Sequence, residues 1–270
     1  MIKVALSGIN GRMGQMLLKA VLAAPDMELS AALGHSGSSA IGKDAGVPSG
    51  ITTGVTVTDD IESLRDCDVL IDFSRPEATL TYLPVCAASG TAVVIGTTGF
   101  TAEEKKTLEA ASESVPVLLA PNTSLGVNAV FKLIEEAARL LSDVDVEIFE
   151  MHHRNKVDAP SGTALEMGRR VAQARGQNFD EVAVLSREGH TGPRKNGTIG
   201  FAALRGGDVV GKHTVIFAGT GEQVEITHNS TTREGYAQGA LTAARFLSTK
   251  DKGYYLSLIH ISEPTRRTPI

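Results

Sequence analysis

Three glycines spaced three residues apart, Gly8, Gly11 and Gly14, follow the short apolar run Ile2-Lys3-Val4-Ala5-Leu6-Ser7. They open a helical pattern through Met16, Leu17, Ala20 and Val21. A strand that passes into a helix through closely spaced glycines is the start of a βαβ unit, and Gly-x-x-Gly-x-x-Gly is a variant of the dinucleotide-binding fingerprint. In such a loop Gly8 permits the tight turn, Gly11 the approach of backbone to a pyrophosphate, and Gly14 the close packing of helix on strand. Arg12 adds a positive charge beside the phosphates.

The chain that follows repeats strand and helix. Glu28 to Leu33, Val69 to Phe73, Ala92 to Ile95 and Val115 to Leu119 read as strands, and Glu77 to Ala88 and Ala102 to Ser114 as helices. Alternation of this kind predicts a parallel sheet, with ligands at the carboxyl ends of its strands. Three polar segments fall there: Ser74-Arg75-Pro76, Gly96-Thr97-Thr98-Gly99 and Ala120-Pro121-Asn122-Thr123-Ser124. Singly each is an ordinary turn. Recurring after successive strands, they outline a cofactor groove in which Thr97 and Thr98 offer hydroxyls and backbone groups to a ribose or nicotinamide.

The second half changes character. Val182 to Arg187, Gly200 to Arg205, His213 to Ala218 and Glu222 to Thr227 look extended, with turns at Asn196-Gly197 and Thr220-Gly221. These predict a mixed sheet with a covering helix, before a last helix from Gly235 to Leu247. The fold class expected is α/β, a Rossmann-like N-terminal domain followed by a second, α+β domain.

Val144 to Met151 alternates apolar and polar residues, the period of a half-buried strand, and ends at His152. The twelve residues from His152 to Thr163 hold two histidines, Arg154 and Lys156, and lead into a helix that Ser161 or Thr163 is placed to cap. A helix N-terminus beside Lys156 and His153 suits a carboxylate or phosphate. Adjacent His152 and His153 on extended chain point to opposite sides. That geometry, with no His-x-x-x-His or cysteine-pair spacing, argues against a metal. His190, His213 and His228 read as ordinary hydrogen-bonded or surface histidines, and Arg205 and Arg233 as possible aids to binding or closure.

A net charge of −5 argues against broad nucleic-acid affinity. No apolar run approaches the roughly 20 residues of a membrane span, and the start passes directly into a strand rather than a signal peptide. The expected location is cytoplasmic, where Cys67 and Cys86 would stay reduced.

Taken together, Glu150 to Ala164, Gly96-Thr97-Thr98-Gly99-Phe100 and Ser186-Arg187-Glu188-Gly189-His190-Thr191-Gly192 resemble the 4-hydroxy-tetrahydrodipicolinate (dihydrodipicolinate) reductase family, over roughly Met1 to Tyr255. The resemblance implies reduction of a cyclic hydroxylated imine dicarboxylate by NADH or NADPH, with loss of water, in lysine and diaminopimelate biosynthesis. It implies His152 as general acid/base, Lys156 as proton donor, and His153, Gly162 and Thr163 as substrate-binding positions. On the cofactor side it implies Gly8, Ile9, Asn10, Gly11, Arg12 and Met13, then Gly96, Thr97 and Thr98, then Ala120, Pro121, Asn122 and Thr123. At the strand end about 20 residues past the glycines, where an acidic residue usually holds the ribose, stand Gly34 and His35, then Ser36. Lacking that carboxylate, the chain is expected to use NADPH at least as well as NADH.

The implied domains are 1–122 plus 234–255 for the dinucleotide, and 123–233 for substrate and oligomerisation, with hinges at Asn122 to Ser124 and Thr232-Arg233 and assembly into a homotetramer through the sheet. Residues 256–270 depart from the family and resemble the translation of a sequencing adaptor. They are expected to be a non-native tail, whose His260 is no site residue. Two other functions share the glycine loop: a different two-domain NAD(P)-dependent dehydrogenase of a small dicarboxylate, and a non-catalytic nucleotide sensor.

Overall fold

A computed structural model describes residues 1–256, so the expected tail lies, apart from Leu256, outside the described residues. In chain order the elements are β1 (Ile2–Ser7), α1 (Arg12–Ala23), β2 (Met27–Leu33), β3 (Val57–Thr58), β4 (Val69–Asp72), α2 (Pro76–Ser89), β5 (Ala92–Ile95), α3 (Ala102–Ala111), β6 (Pro116–Leu119) and α4 (Leu125–Leu140). There follow β7 (Asp145–His152), α5 (Gly162–Ala174), α6 (Phe179–Val182), β8 (Ala183–Val184), β9 (Ile199–Arg205), β10 (Gly211–Ala218), β11 (Gln223–Ser230), α7 (Glu234–Leu247) and β12 (Gly253–Tyr255). The chain divides into two compact units, Met1–Leu125 with the segment from Arg233 onward, and Gly126–Thr232.

The first unit is built on a seven-stranded sheet ordered β12-β6-β5-β4-β1-β2-β3, parallel throughout. Both faces are covered, which is why its strands read as nearly unbroken apolar runs. Val4, Leu6, Ile71 and Val94 pack on one face with Leu17 and Val21 of α1 and Leu241 and Leu247 of α7. Ala5, Leu70, Val93 and Val117 pack on the other with Leu83 of α2 and Leu108 of α3. The order reverses between β1 and β4, so the crevice between their carboxyl ends is the topological switch point where such sheets bind ligands.

The second unit carries a five-stranded mixed sheet, β11-β10-β7-β9-β8, in which β7 runs antiparallel to β10 and parallel to β9. One face is covered by Val127, Phe131 and Ile134 of α4 and by Met167 and Val171 of α5, against Val146, Ile148, Phe201, Val215 and Phe217. Strand periodicity places Glu150 and His152 on that same inward face.

The extended run expected over Val182 to Arg187 is corrected: only Ala183–Val184 pairs in the sheet. Arg187 leaves it to bond Glu147 on β7 through both terminal nitrogens at 2.7 Å, and Arg194 joins the same carboxylate at 2.9 Å. Side-chain ion pairs rather than ladder bonds hold this segment, and periodicity does not report them.

Candidate active site

At the switch point the glycine loop has the geometry its spacing predicts, with one refinement. Gly8 sits at φ +67°, and a Cβ there would overlap the carbonyl oxygen of Phe73 at the end of β4. Gly14 lies against the loop itself, its Cβ direction blocked by Ile9 Cα at 2.6 Å. Gly11 has φ −76°, a torsion any residue adopts, so it is restricted by space rather than conformation. As N-cap of α1 it makes no side-chain capping bond, and it is exposed together with Asn10 and Arg12. A helix start uncapped by side chains, reached through a bare-backbone turn, fits a pyrophosphate. Met13 is half-buried, and Ile9 is fully buried, so only its backbone borders the crevice.

The groove around it differs from expectation in its hydroxyls. Thr97 is buried, and its Oγ1 donates to Asp72 Oδ2 at 3.1 Å while accepting from the Ser74 N–H at 2.9 Å. Ser7, Ser74 and Thr79 also donate to the fully buried Asp72. The Thr97 hydroxyl is therefore spent inside the fold, and its backbone is what remains for a ligand. Thr98 is exposed beside it, and Gly96 backs onto the Phe73 ring. The Thr123 hydroxyl is likewise committed, to the Tyr236 carbonyl of α7 at 2.8 Å. Ala120 is buried, Pro121 exposed, and Asn122 accepts from the Ser124 N–H at 2.9 Å. After β2, the Gly34 N–H bonds the Thr58 carbonyl, and His35 and Ser36 are exposed, with Asn10 bonded to Ser38.

In the second unit β7 ends at His152, and a tight turn closed by the Lys156 N–H on the His153 carbonyl carries the chain toward α5. Ser161, not Thr163, caps that helix, accepting from the Ala164 N–H at 3.3 Å. Gly162 is exposed and Thr163 half-buried in its first turn. Lys156 Nζ donates to both oxygens of Asp158 at 2.7 and 2.9 Å, a partner that the sequence pattern did not disclose. Burial alone would raise the Asp158 carboxyl, but the ammonium outweighs it and holds it below the usual range. His153 lies half-buried with its Nδ1 lacking a hydrogen-bond partner.

Glu150, 1% exposed, is the centre of the site and was not among the residues expected. Its oxygens take His152 Nδ1 at 2.6 Å, the Ser161 N–H at 3.1 Å and both terminal nitrogens of Arg205 at 2.7 Å. Register builds this cluster: His152 lies opposite Arg205 on β9, and Glu150 opposite His213 on β10. Burial pushes the Glu150 carboxyl up, but the bonds from His152 and Arg205 outweigh it and bring it to about 2. His213 meets Ser161 Oγ at 2.9 Å and the His152 ring edge-on, with centroids 5.0 Å apart. Burial, reinforced by the charge of His152, pushes His213 down to about 3.

These two groups set an acid response. His213 has a folded pKa below its ordinary value of 6.5, so the stability it contributes is complete above pH 6.5 and is lost as pH falls toward 3. Glu150 adds a second loss between its ordinary 4.5 and about 2. Denaturant melts between pH 7 and 5 are expected to weaken by up to about 1.4 kcal/mol per pH unit for the His213 proton. In His213→Asn that part of the slope should vanish, and a slope that persists would assign it elsewhere.

Fold and loop set define the class: a protein with a Rossmann-like dinucleotide-binding domain and a separate α+β unit. The family model described as dihydrodipicolinate reductase, N-terminus, matches residues 2–123, and that described as dihydrodipicolinate reductase, C-terminus, matches residues 126–261. The chain belongs to the dihydrodipicolinate reductase family. It is 59% identical over 255 residues to the 4-hydroxy-tetrahydrodipicolinate reductase of Ralstonia pickettii (strain 12J), covering 94% of this chain and 97% of that one. It is 54% identical over 256 residues to the reductase of that name from Nitrosospira multiformis, covering 94% and 95%. Among solved structures, the dipicolinate-bound dihydrodipicolinate reductase from Paenisporosarcina sp. TG-14 superposes with a TM-score of 0.75 at 27% identity, covering 94% of this chain and 98% of that one.

Proposed function

We propose that the chain reduces 4-hydroxy-tetrahydrodipicolinate to tetrahydrodipicolinate, taking up one hydride and one proton and releasing one water. The observation that carries this is the stretch from His152 to the head of α5, where two proton-carrying side chains adjoin a helix N-terminus. Family membership supports it, as does the dipicolinate bound by the Paenisporosarcina relative, a planar ring with two carboxylates. The N-terminus of α5 at Gly162 and Thr163, with His153, would bind carboxylate. Lys156, held by Asp158, would act as proton donor and electrostatic clamp. His152 would exchange protons as general acid/base.

When bound, the reduced nicotinamide supplies the hydride. Backbone of the loop from Gly8 to Met13 and the start of α1 would hold its pyrophosphate, and Gly96 to Thr98 with Ala120 to Thr123 would border the nicotinamide half. Gly34, His35 and Ser36 present no carboxylate to repel a 2′-phosphate, so NADPH is expected to serve at least as well as NADH. We extend the proposal to a cytoplasmic homotetramer assembled through the five-stranded sheet, where Leu204 and Val224 are exposed apolar side chains.

The test is loss of nucleotide absorbance on adding the cyclic substrate, run with each nucleotide in turn. Turnover with kcat/KM for NADPH equal to or above that for NADH is expected. A large NADH preference would contradict the role given to Gly34 and His35. Oxidation only with another dicarboxylate would favour a different dehydrogenase, and binding without oxidation a nucleotide sensor.

A further inference from the structure

His152 and Lys156 sit on different segments, a strand end and a loop, and one side chain reaches the anchors of both. Arg205 Nη1 and Nη2 grip the two oxygens of Glu150 at 2.7 Å each, and Nη2 also donates to the Asp158 backbone carbonyl at 2.6 Å. Glu150 in turn holds His152 Nδ1, and the Asp158 carboxylate holds Lys156 Nζ. We propose that Arg205 is the positioning residue of this site, fixing the tautomer of His152 through Glu150 and the place of Lys156 through Asp158. The proposal rests on the assignment of His152 and Lys156 as proton carriers.

The chemistry follows from donors and acceptors. An ionised carboxylate only accepts, so the ring nitrogen beside Glu150 must carry a hydrogen, leaving the lone pair of neutral His152 on Nε2. That second nitrogen borders backbone: a Cβ at Gly211 would lie 3.0 Å from it. Removing Arg205 would leave a buried carboxylate with its cationic clamp gone. Such a group takes up a proton, and a protonated Glu150 donates as well as accepts, which releases the His152 tautomer. Lysine does not replace the guanidinium here. A tetrahedral ammonium is a point charge, whereas two carboxylate oxygens and a carbonyl are met together by one planar fork. A merely structural ion pair would require only the charge.

The test compares Arg205→Lys and Glu150→Gln with the unaltered full chain. The measurements are thermal melting, steady-state reduction with NADPH, nucleotide affinity, and nitrogen NMR of the histidine rings, with His152 assigned by its loss in His152→Gln. Arg205→Lys is expected to fold, to keep nucleotide affinity, to lose up to roughly 100-fold in kcat, the cost of misplacing a reacting group by about 1 Å, and to show His152 as a mixture of tautomers. Glu150→Gln, which retains the arginine, is expected to loosen the tautomer in the same way, and it serves if the lysine variant does not fold. Wild-type kcat in folded Arg205→Lys, or a His152 tautomer unchanged in both variants, overturns the proposal. If the unaltered chain fails to reduce the cyclic substrate, the reaction assigned above falls, and the NMR measurement still decides whether Arg205 sets the tautomer.

Discussion

Replacing His152 with glutamine, or Lys156 with methionine, is expected to lower kcat by roughly 10²–10⁴-fold, the usual worth of a positioned acid or base, while nucleotide affinity stays unchanged. His152 is held by the buried Glu150 at 2.6 Å and Lys156 by Asp158 at 2.7 Å, so each is fixed by its own partner rather than by a nucleotide-binding loop. Steady-state kinetics combined with fluorescence titration of NADPH separates the two quantities. Retained turnover in either variant would remove that residue from the proton-transfer role. Parallel loss of turnover and nucleotide binding would show that the substitution had spread beyond its site.

Gly8→Ala is expected to be as damaging by a different route. The added Cβ meets the Phe73 carbonyl, backbone that belongs to the neighbouring strand end, and the residue must hold φ +67°. Left-handed torsion costs an L-residue roughly 1–2 kcal/mol, and overpacking adds about 1–3 kcal/mol. The first unit should lose roughly 2–5 kcal/mol by those two terms, and NADPH affinity should fall with it, because the loop relieves the overlap only by moving away from the switch point. Denaturant melts and nucleotide titration of the variant check both. Affinity equal to that of the unaltered chain would place the pyrophosphate away from this turn. Arg12→Ala, exposed and outside the turn's packing, serves as the contrast: stability unchanged, affinity reduced.

The first unit was largely legible because its signals are local. A parallel sheet covered on both faces demands apolar strands, and strands and helices that alternate in sequence alternate in the fold. Val57–Thr58 and Gly253–Tyr255 escaped because they are two- and three-residue edge strands, too short to show a period. The helix Leu125–Leu140 carries an apolar stripe through Val127, Phe131, Ile134 and Ala138, but the turn formers Pro121 to Ser124 stand directly before it and no capping-box sequence marks its start. The hydroxyl of Thr97 was misleading for a related reason, and that of Thr123 is committed in the same way. A polar side chain at a strand end looks available until a buried acceptor, Asp72 or the Tyr236 carbonyl, is found to use it.

The chain's own order determined where a strand must turn through glycine into a helix, which loop gathers His152, His153 and Lys156, and that a hydroxyl, Ser161 or Thr163, stands where a helix cap belongs. Each of these depends on neighbours a few residues apart, and periodicity reports such neighbours directly. Only the tertiary structure decided which side chains meet at the candidate site, because that depends on register. Pairing β7 with β9 and β10 brings Arg205 and His213 to Glu150 from 55 and 63 positions away. A shift of one residue would turn Glu150 and His152 to the opposite face, and the carboxylate that orders this site would have no guanidinium beside it.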